Sequence, residues 1–377
     1  MKNKLWIKIL LCLIAIVLSS VFLFNYIMDP YGLYKTNFFL NKPIDATQAR
    51  IVKLFKAKDI DPVSIVIGTS RADLAIDPDH RYFKKPSYNL SISGASLYEI
   101  KYYIKEMILE GNVKDILLVL DWRMFNDLLK KVPEFETYFD NFNPYRYIIN
   151  TQTLKDSYTT FINRDIQSMY YKNGLLSSNG MNIHVKNSGG HLSLMKKEEN
   201  FYYSIFPTDS NIYIATKHNS FDDFKEILDL SYNNNNIKLD IIFGPSHIRQ
   251  WEAFAYYHDI ENWYKWKKDV VLFVEKIAIK KNKIPFRIMD FSVYHYFTSE
   301  MVPSKPEIAM QYYWESSHYK KELGDIVLDR LLDISPYKDF GIELNSQNID
   351  NHIKKLRDDR EKYIDIKKYR QEVFGEN

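Results

Sequence analysis

Cysteine is almost absent from this chain of 377 residues, and the one present, Cys12, lies inside the N-terminal apolar run. Beyond that run there is no thiol, which excludes a cysteine nucleophile and Cys-ligated zinc there and suits an oxidising compartment without dependence on disulfides. No sign of charge dominates either. The 51 basic residues stand against 48 acidic ones, so the totals point to neither a nucleic-acid groove nor a surface for acidic partners, and nucleic acid is not expected as a partner. There is no internal repeat. A compact metal motif is also lacking: His184 and His191 are seven apart with no accompanying carboxylate pattern, so neither a metal nor a cofactor is expected. Aromatic residues, in contrast, are plentiful, with 29 Tyr and 23 Phe. Most belong to core and surface packing, and exposed rings can stack on sugar faces.

The N-terminus holds the longest apolar run. Ile9 to Phe24 carries no charge and continues through Asn25, Tyr26 and Ile27. At about 1.5 Å per residue, about 20 such residues span a hydrocarbon layer of about 30 Å. Lys2, Lys4 and Lys8 precede it, so the positive-inside rule places the N-terminus in the cytoplasm and the bulk of the chain outside. A cleaved signal peptide is the alternative. The run is long for one, no small-x-small site follows before Asp29-Pro30, and Leu11 ahead of Cys12 lacks the small side chain of a lipoprotein site. The expectation is a single-pass, uncleaved anchor.

After a connector over residues 29–61, with a turn at Asp29-Pro30-Tyr31-Gly32 and a short helix over 48–56, strands and helices alternate. Strands are expected at 63–67, 88–92, 115–120, 239–243 and 285–289, and helices at 97–109, 253–280 and 320–332. Such alternation is the pattern of right-handed βαβ crossovers, hence an α/β fold with a mostly parallel sheet flanked by helices. Between about 125 and 236 the pattern breaks into aromatic-rich and Asn-rich sequence. That stretch reads as an insertion, which can sit over the carboxyl edge of the sheet and shape a cleft or elaborate the surface elsewhere. Residues 337–377 read as a charged helical tail, with mixed charges at helical spacing over 351–368.

Two short motifs carry chemistry. The β-branched run Val63-Ser64-Ile65-Val66-Ile67 ends in Gly68-Thr69-Ser70-Arg71, leaving Ser70 at the carboxyl edge of the sheet, where ligands of open α/β sheets bind. Ser70 there is either a helix N-cap or a nucleophile. About 250 residues on, Glu315-Ser316-Ser317-His318 places an acid three residues before an imidazole. At that spacing the acid can orient the ring, and the ring can take a proton from a serine hydroxyl. His247, after Gly244-Pro245-Ser246, is the competing base, more readily read as a loop or substrate-contacting histidine. Asp290 is a fallback orienter for His318, and Arg71 and Asp121 lie at strand ends where substrate contact is expected.

With Ser first and acid-x-x-His last, the chain resembles the SGNH (GDSL-like) hydrolase superfamily, whose fold is flavodoxin-like. The stretch Tyr88-Asn89-Leu90-Ser91-Ile92-Ser93-Gly94-Ala95-Ser96 resembles its second block. By that resemblance Gly94 supplies an oxyanion donor beside the Ser70 N–H. The third block, Gly-x-Asn-Asp, is not reproduced: Asp121-Trp122-Arg123-Met124-Phe125-Asn126 stands in its place, and Glu315 replaces the usual Asp.

Together with the anchor, the chain resembles most the membrane-anchored branch that acts on secreted polymers, the DltD-like and AlgJ-like proteins. The resemblance implies a serine-dependent O-acyltransferase or esterase, adding or removing acetyl or similar groups on an exopolysaccharide or cell-wall polymer outside a bacterial cytoplasmic membrane. It also implies a membrane-bound O-acyltransferase as partner. The alternative is a non-catalytic SGNH-shaped accessory protein that binds polymer and docks on such an acyltransferase. The expected organisation is an anchor at 1–28, the connector at 29–61, the α/β domain at 62–336 and the tail at 337–377.

Overall fold

The computed structural model describes residues 2–36, 38, 48–126, 129, 132, 135–139, 143–164, 170–202, 219–234 and 237–376. Parts of the expected connector, at 37 and 39–47, and of the expected insertion, chiefly 127–134, 140–142, 165–169, 203–218 and 235–236, lie wholly or partly outside the described residues. The chain divides into two compact units, Met1–Asp59 with Glu134–Tyr171, and Ile60–Pro133 with Lys172–Asn377.

The chain opens with α1 (Lys2–Met28) and α2 (Ala49–Ile60), followed by β1 (Ser64–Ile67), α3 (Ser70–Ala75), β2 (Ser87–Asn89), α4 (Leu97–Leu109) and β3 (Asp115–Leu120). Then come α5 (Tyr145–Ile148), α6 (Thr151–Ile162), α7 (Asn179–Asn187), α8 (His191–Tyr202) and α9 (Ser220–Asn233). The last part holds β4 (Lys238–Phe243), α10 (Ile248–Tyr257), α11 (Ile260–Lys280), β5 (Arg287–Asp290), α12 (Lys321–Leu331), β6 (Ile342–Glu343), α13 (Ile349–Tyr363) and α14 (Ile366–Phe374).

In the first unit, α1 carries one stretch, Lys4–Met28, long and apolar enough to cross a membrane, with a mean hydropathy of 2.8 in its most apolar window. Helices α5 and α6 pack beside it, and Asn25 Nδ2 donates to the Ile148 carbonyl at 3.0 Å.

The second unit is a six-stranded mixed sheet of order β2-β1-β3-β4-β5-β6, its first five strands parallel and β6 antiparallel to β5. The parallel strands are buried almost throughout, as strands covered by helices on both faces must be. Strand β6 is two residues long and exposed, too short to leave a periodicity in the sequence. Helix α4 starts on a capping box, with Glu99 N–H on Ser96 Oγ and Ser96 N–H on Glu99 Oε2. Helix α9 packs on α4 ahead of β4, so the last part of the aromatic-rich stretch belongs to the helical layer.

The helix expected over 253–280 is two helices. His258 and Asp259 adopt extended backbone, and the Asp259 carboxylate accepts from Glu261 N–H at 2.9 Å, starting α11 afresh. Apolar residues keep helical spacing on both sides of that cap, so periodicity alone merges them. In the C-terminal stretch Asp365 likewise restarts the helix. There Ile349, His352, Ile353, Leu356, Tyr369 and Val373 are buried, with Asp359 beside them, while most of the other charges between them face outward.

Helix α12 crosses α3 closely. A Cβ on Gly324 would stand 2.0 Å from the Ala75 carbonyl oxygen, so only glycine permits the contact. That contact sets the element following the Glu315–His318 motif against the element that begins with Ser70.

Candidate active site

Ser70 is the first residue of α3, presented by the turn at Gly68 and Thr69 after β1. His318 comes from a tight hairpin. Tyr313 pairs with Tyr319 across it, Trp314 N–H bonds the His318 carbonyl at 2.9 Å, and Lys320 N–H bonds Tyr312 O at 2.7 Å. Both tyrosines are fully buried in the core against α12 and β4 neighbours such as Leu323 and Ile242. Burial of an aromatic side chain contributes about 1.5–3 kcal/mol, so this pair moors the hairpin. Tyr313 OH donates to Pro245 O at 2.8 Å, His247 N–H to Ser316 O at 2.9 Å, and His191 Nδ1 lies 2.9 Å from Trp314 O.

The hairpin tip brings the expected residues together. His318 Nε2 stands 2.7 Å from Ser70 Oγ, and His318 Nδ1 is in close contact with Glu315 Oε1. A carboxylate can only accept, so Nδ1 carries the hydrogen and Nε2 is left to accept from the serine hydroxyl. Glu315 also takes His318 N–H at 3.0 Å, Ser317 N–H at 2.8 Å and Ser317 Oγ–H at 2.7 Å. Burial would raise this carboxyl, but His318 and the Ser317 donors outweigh it and hold the group down at about 2. Glu315 is therefore a buried, oriented anion at neutral pH. His318 is partly open to solvent.

Gly94 lines the same cleft at φ +69, in the left-handed region that favours glycine. Among the described residues, no backbone acceptor takes the N–H of Ser70 or of Gly94. Where the third block of the resemblance would offer Asn, Arg123 reaches the cleft instead, its Nη1 donating to Gly94 O at 2.9 Å.

Arg71 also lines the cleft, but its guanidinium is engaged. Nε donates to Ser317 O at 3.2 Å and Nη1 pairs with Asp121 Oδ2 at 2.6 Å. It thus ties the helix that begins with Ser70 to the hairpin. Asp121 sits behind it at the end of β3 and also accepts from Thr69 Oγ1 at 2.5 Å. Burial pushes the Asp121 carboxyl up, while Arg71, Thr69 and Arg123 together hold it below the usual carboxylate value.

Neither His247 nor Asp290 lines this cleft. His247 is buried, with Nε2 at 2.9 Å from Glu300 O and Nδ1 accepting from Arg249 N–H as the cap of α10. Burial lowers its pKa to about 4. Asp290 is enclosed by Lys267 Nζ at 2.5 Å and His352 Nε2 at 2.8 Å.

The cleft holds about 380 Å³ and is walled further by Met181 and His184 of α7, Glu198 and Glu199 of α8, and Gln250 of α10. Two helices of the aromatic-rich stretch therefore border the cleft around Ser70. Glu199 accepts from Ser316 Oγ at 2.7 Å and forms a two-pronged pair with Arg249 at 3.0 and 2.9 Å. Sequence reasoning missed Arg123, Glu199 and Gln250. Arg123 had a signal, a lone cation among Trp122, Met124 and Phe125 at a strand end. Glu199 had none, because it follows Lys196, Lys197 and Glu198 on a helix that reads as solvated. Beyond Arg71, Arg123 and Gln250, which line both spaces, lies a smaller chamber of about 50 Å³ walled by Trp122, Phe243, Trp251, Phe254, Trp263 and Trp266.

Comparison of the chain with family models, with curated proteins and with solved structures finds no match.

Proposed function

We propose that the second unit is an SGNH-like catalytic domain performing serine-dependent acyl transfer or ester hydrolysis. The observation that carries this reading is the relay Ser70 Oγ to His318 Nε2 at 2.7 Å, continued from His318 Nδ1 to Glu315. The parallel strand order 2-1-3-4-5 supports it, being the flavodoxin-like order in which ligands bind where the order reverses, at the carboxyl ends of β1 and β3. Thr69 and Ser70 follow β1, and Asp121 follows β3.

In the proposed reaction, Ser70 Oγ attacks an ester carbonyl while His318 Nε2 takes its proton, and Glu315 stabilises the imidazolium. The Ser70 and Gly94 N–H groups receive the oxyanion, with Arg123 as a charged neighbour. His318 returns the proton to the departing alkoxide, leaving an acyl ester on Ser70. Water or a sugar hydroxyl then takes the acyl group by the same steps in reverse.

The small chamber has room for a few water-sized groups, which favours acetyl or a similarly short acyl group. With the N-terminal apolar helix and the family resemblance, the substrate we propose is a secreted polysaccharide or wall polymer, with a membrane-bound O-acyltransferase as the donor's source. The test is labelling with a fluorophosphonate probe. Capture of Ser70, lost in Ser70→Ala, supports the reading. No labelling of a folded protein would favour a non-catalytic accessory protein.

A further inference from the structure

Helix α6 in the first unit is turned inside out. Its buried face is Thr153, Asp156, Ser157 and Thr160, whereas Tyr158, Phe161 and Ile162 are 60, 40 and 52% exposed. Tyr145 and Ile149 of the preceding segment, at 72 and 53%, add to the same unit's exposed apolar residues. Water-soluble helices bury their apolar stripe, so a helix with polar, small residues inward and rings outward is built for surroundings less polar than water.

Helix α6 lies close beside α1. Phe24 and Phe161 have ring centroids 6.4 Å apart, Asn25 bonds Ile148 O, and Tyr31 OH bonds the Asp156 carboxylate. Small and hydroxyl side chains are what permit close helix packing inside membranes. The level of the contact is informative. If Ile9 to Met28 fills the hydrocarbon layer, Phe24 lies four residues inside its end, about 6 Å deep at 1.5 Å per residue. Interfacial helices bury their apolar side by about 5–10 Å.

The remaining flank of α6 matches. At the 3.6-residue period Leu154, Tyr158 and Phe161 share one stripe, Gln152, Lys155 and Thr159 share another, and Ile162 lies between the two. Arg164, just past the helix, caps the Phe161 carbonyl at 2.8 Å with its guanidinium over the Phe161 ring at 4.7 Å, an arrangement that lets a cation reach the headgroups from an apolar edge.

We propose that α6 is an interfacial helix, embedded through Tyr158, Phe161 and Ile162 in the lipid layer at the Met28 end of the span. The α1–α6 pair then fixes the height and rotation of the chain as it leaves the bilayer, which a single helix cannot do.

The test uses the full chain in nanodiscs of phosphatidylcholine and phosphatidylglycerol. In a Cys12→Ser background, Tyr158→Cys, Ile162→Cys and Thr159→Cys are each labelled with an environment-sensitive fluorophore, and Cys12 of the otherwise native chain is labelled as the reference within the span. Doxyl lipids labelled near the carbonyl should roughly halve the emission at 158 and 162. Chain-end doxyl should act more strongly at Cys12, and aqueous iodide should quench 159 most. Quenching at 158 and 162 by iodide alone, as at 159, would overturn the proposal. So would protection of both sites in native membranes but not in nanodiscs, which would indicate a protein partner.

Discussion

Of the acid–imidazole pairs in the α/β unit, Glu315–His318 faces a serine hydroxyl and Asp290–His352 is enclosed. Glu315 and His318 sit on a hairpin tip beside an open cleft, and the far nitrogen of the ring meets Ser70 Oγ. Asp290 and His352 are sealed at the end of β5, where the carboxylate also holds Lys267 and Ser292. Burial lowers Lys267 to about 8 despite Asp290 beside it. The residue types are nearly the same. What differs is the third partner and the access to solvent: a hydroxyl in a cleft can be turned into a nucleophile, whereas an enclosed ammonium and carboxylate can only hold α11, β5 and α13 together.

The comparison breaks most sharply at the serine. Ser70→Ala is expected to lower kcat on an aryl acetate by about 10⁶-fold with little change in Tm, because Ser70 is only partly buried and lines the cleft. Loss confined to stability would erase the difference between the two pairs. Glu315→Gln is expected to cost about 10⁴-fold in kcat, since an amide can stabilise the wrong tautomer of His318. Measured kinetics within tenfold of the parent would assign the orienting role elsewhere.

At the sealed pair the expected loss is stability. Asp290→Asn leaves Lys267 buried without its counter-ion and should destabilise the unit by about 3–5 kcal/mol in chemical denaturation, while the pH profile of the remaining activity keeps its shape. His247 refines the contrast with a further enclosed imidazole. Its pKa is lowered in the native state to about 4 from an ordinary value of 6.5. Between those values the unfolded chain binds a proton that the native one refuses, so stability is lost as pH falls from about 6.5 to 4, by at most about 3 kcal/mol. His247→Asn keeps a capping side chain and should flatten that slope; identical slopes would dismiss the assignment. The smallest effect is expected at Gly324→Ala, which forces α12 off α3 and should cost about 1–3 kcal/mol. Because α12 follows directly on the hairpin, kcat should fall with it, whereas a change at the sealed pair should leave kcat of the folded fraction intact.

Much of the Glu315–His318 pair and its serine was legible. Gly68-Thr69-Ser70 after a β-branched run and Glu315-x-x-His318 before an amphipathic helix are local patterns, and their pairing followed from chain order. The sealed pair was not legible in the same way. Asp290 and His352 are 62 residues apart, and His352 sits in a run of charges that reads as solvated. Asp290 as an orienter for His318 was a reasonable alternative in one dimension, since both follow strand ends. In space Glu315 reaches the ring first, and Asp290 is bonded to Lys267 and His352.

The sequence by itself determined the apolar N-terminal helix, the alternation that builds a parallel sheet, and the types of residue at the strand ends, because each depends on short-range periodicity and turn chemistry. Tertiary structure alone decided that Arg123 takes the place beside Gly94, that Arg71 braces the hairpin against Asp121, and that α6 turns its rings outward. Those outcomes depend on contacts between residues far apart in the chain and on the polarity of what surrounds them, which no local pattern records.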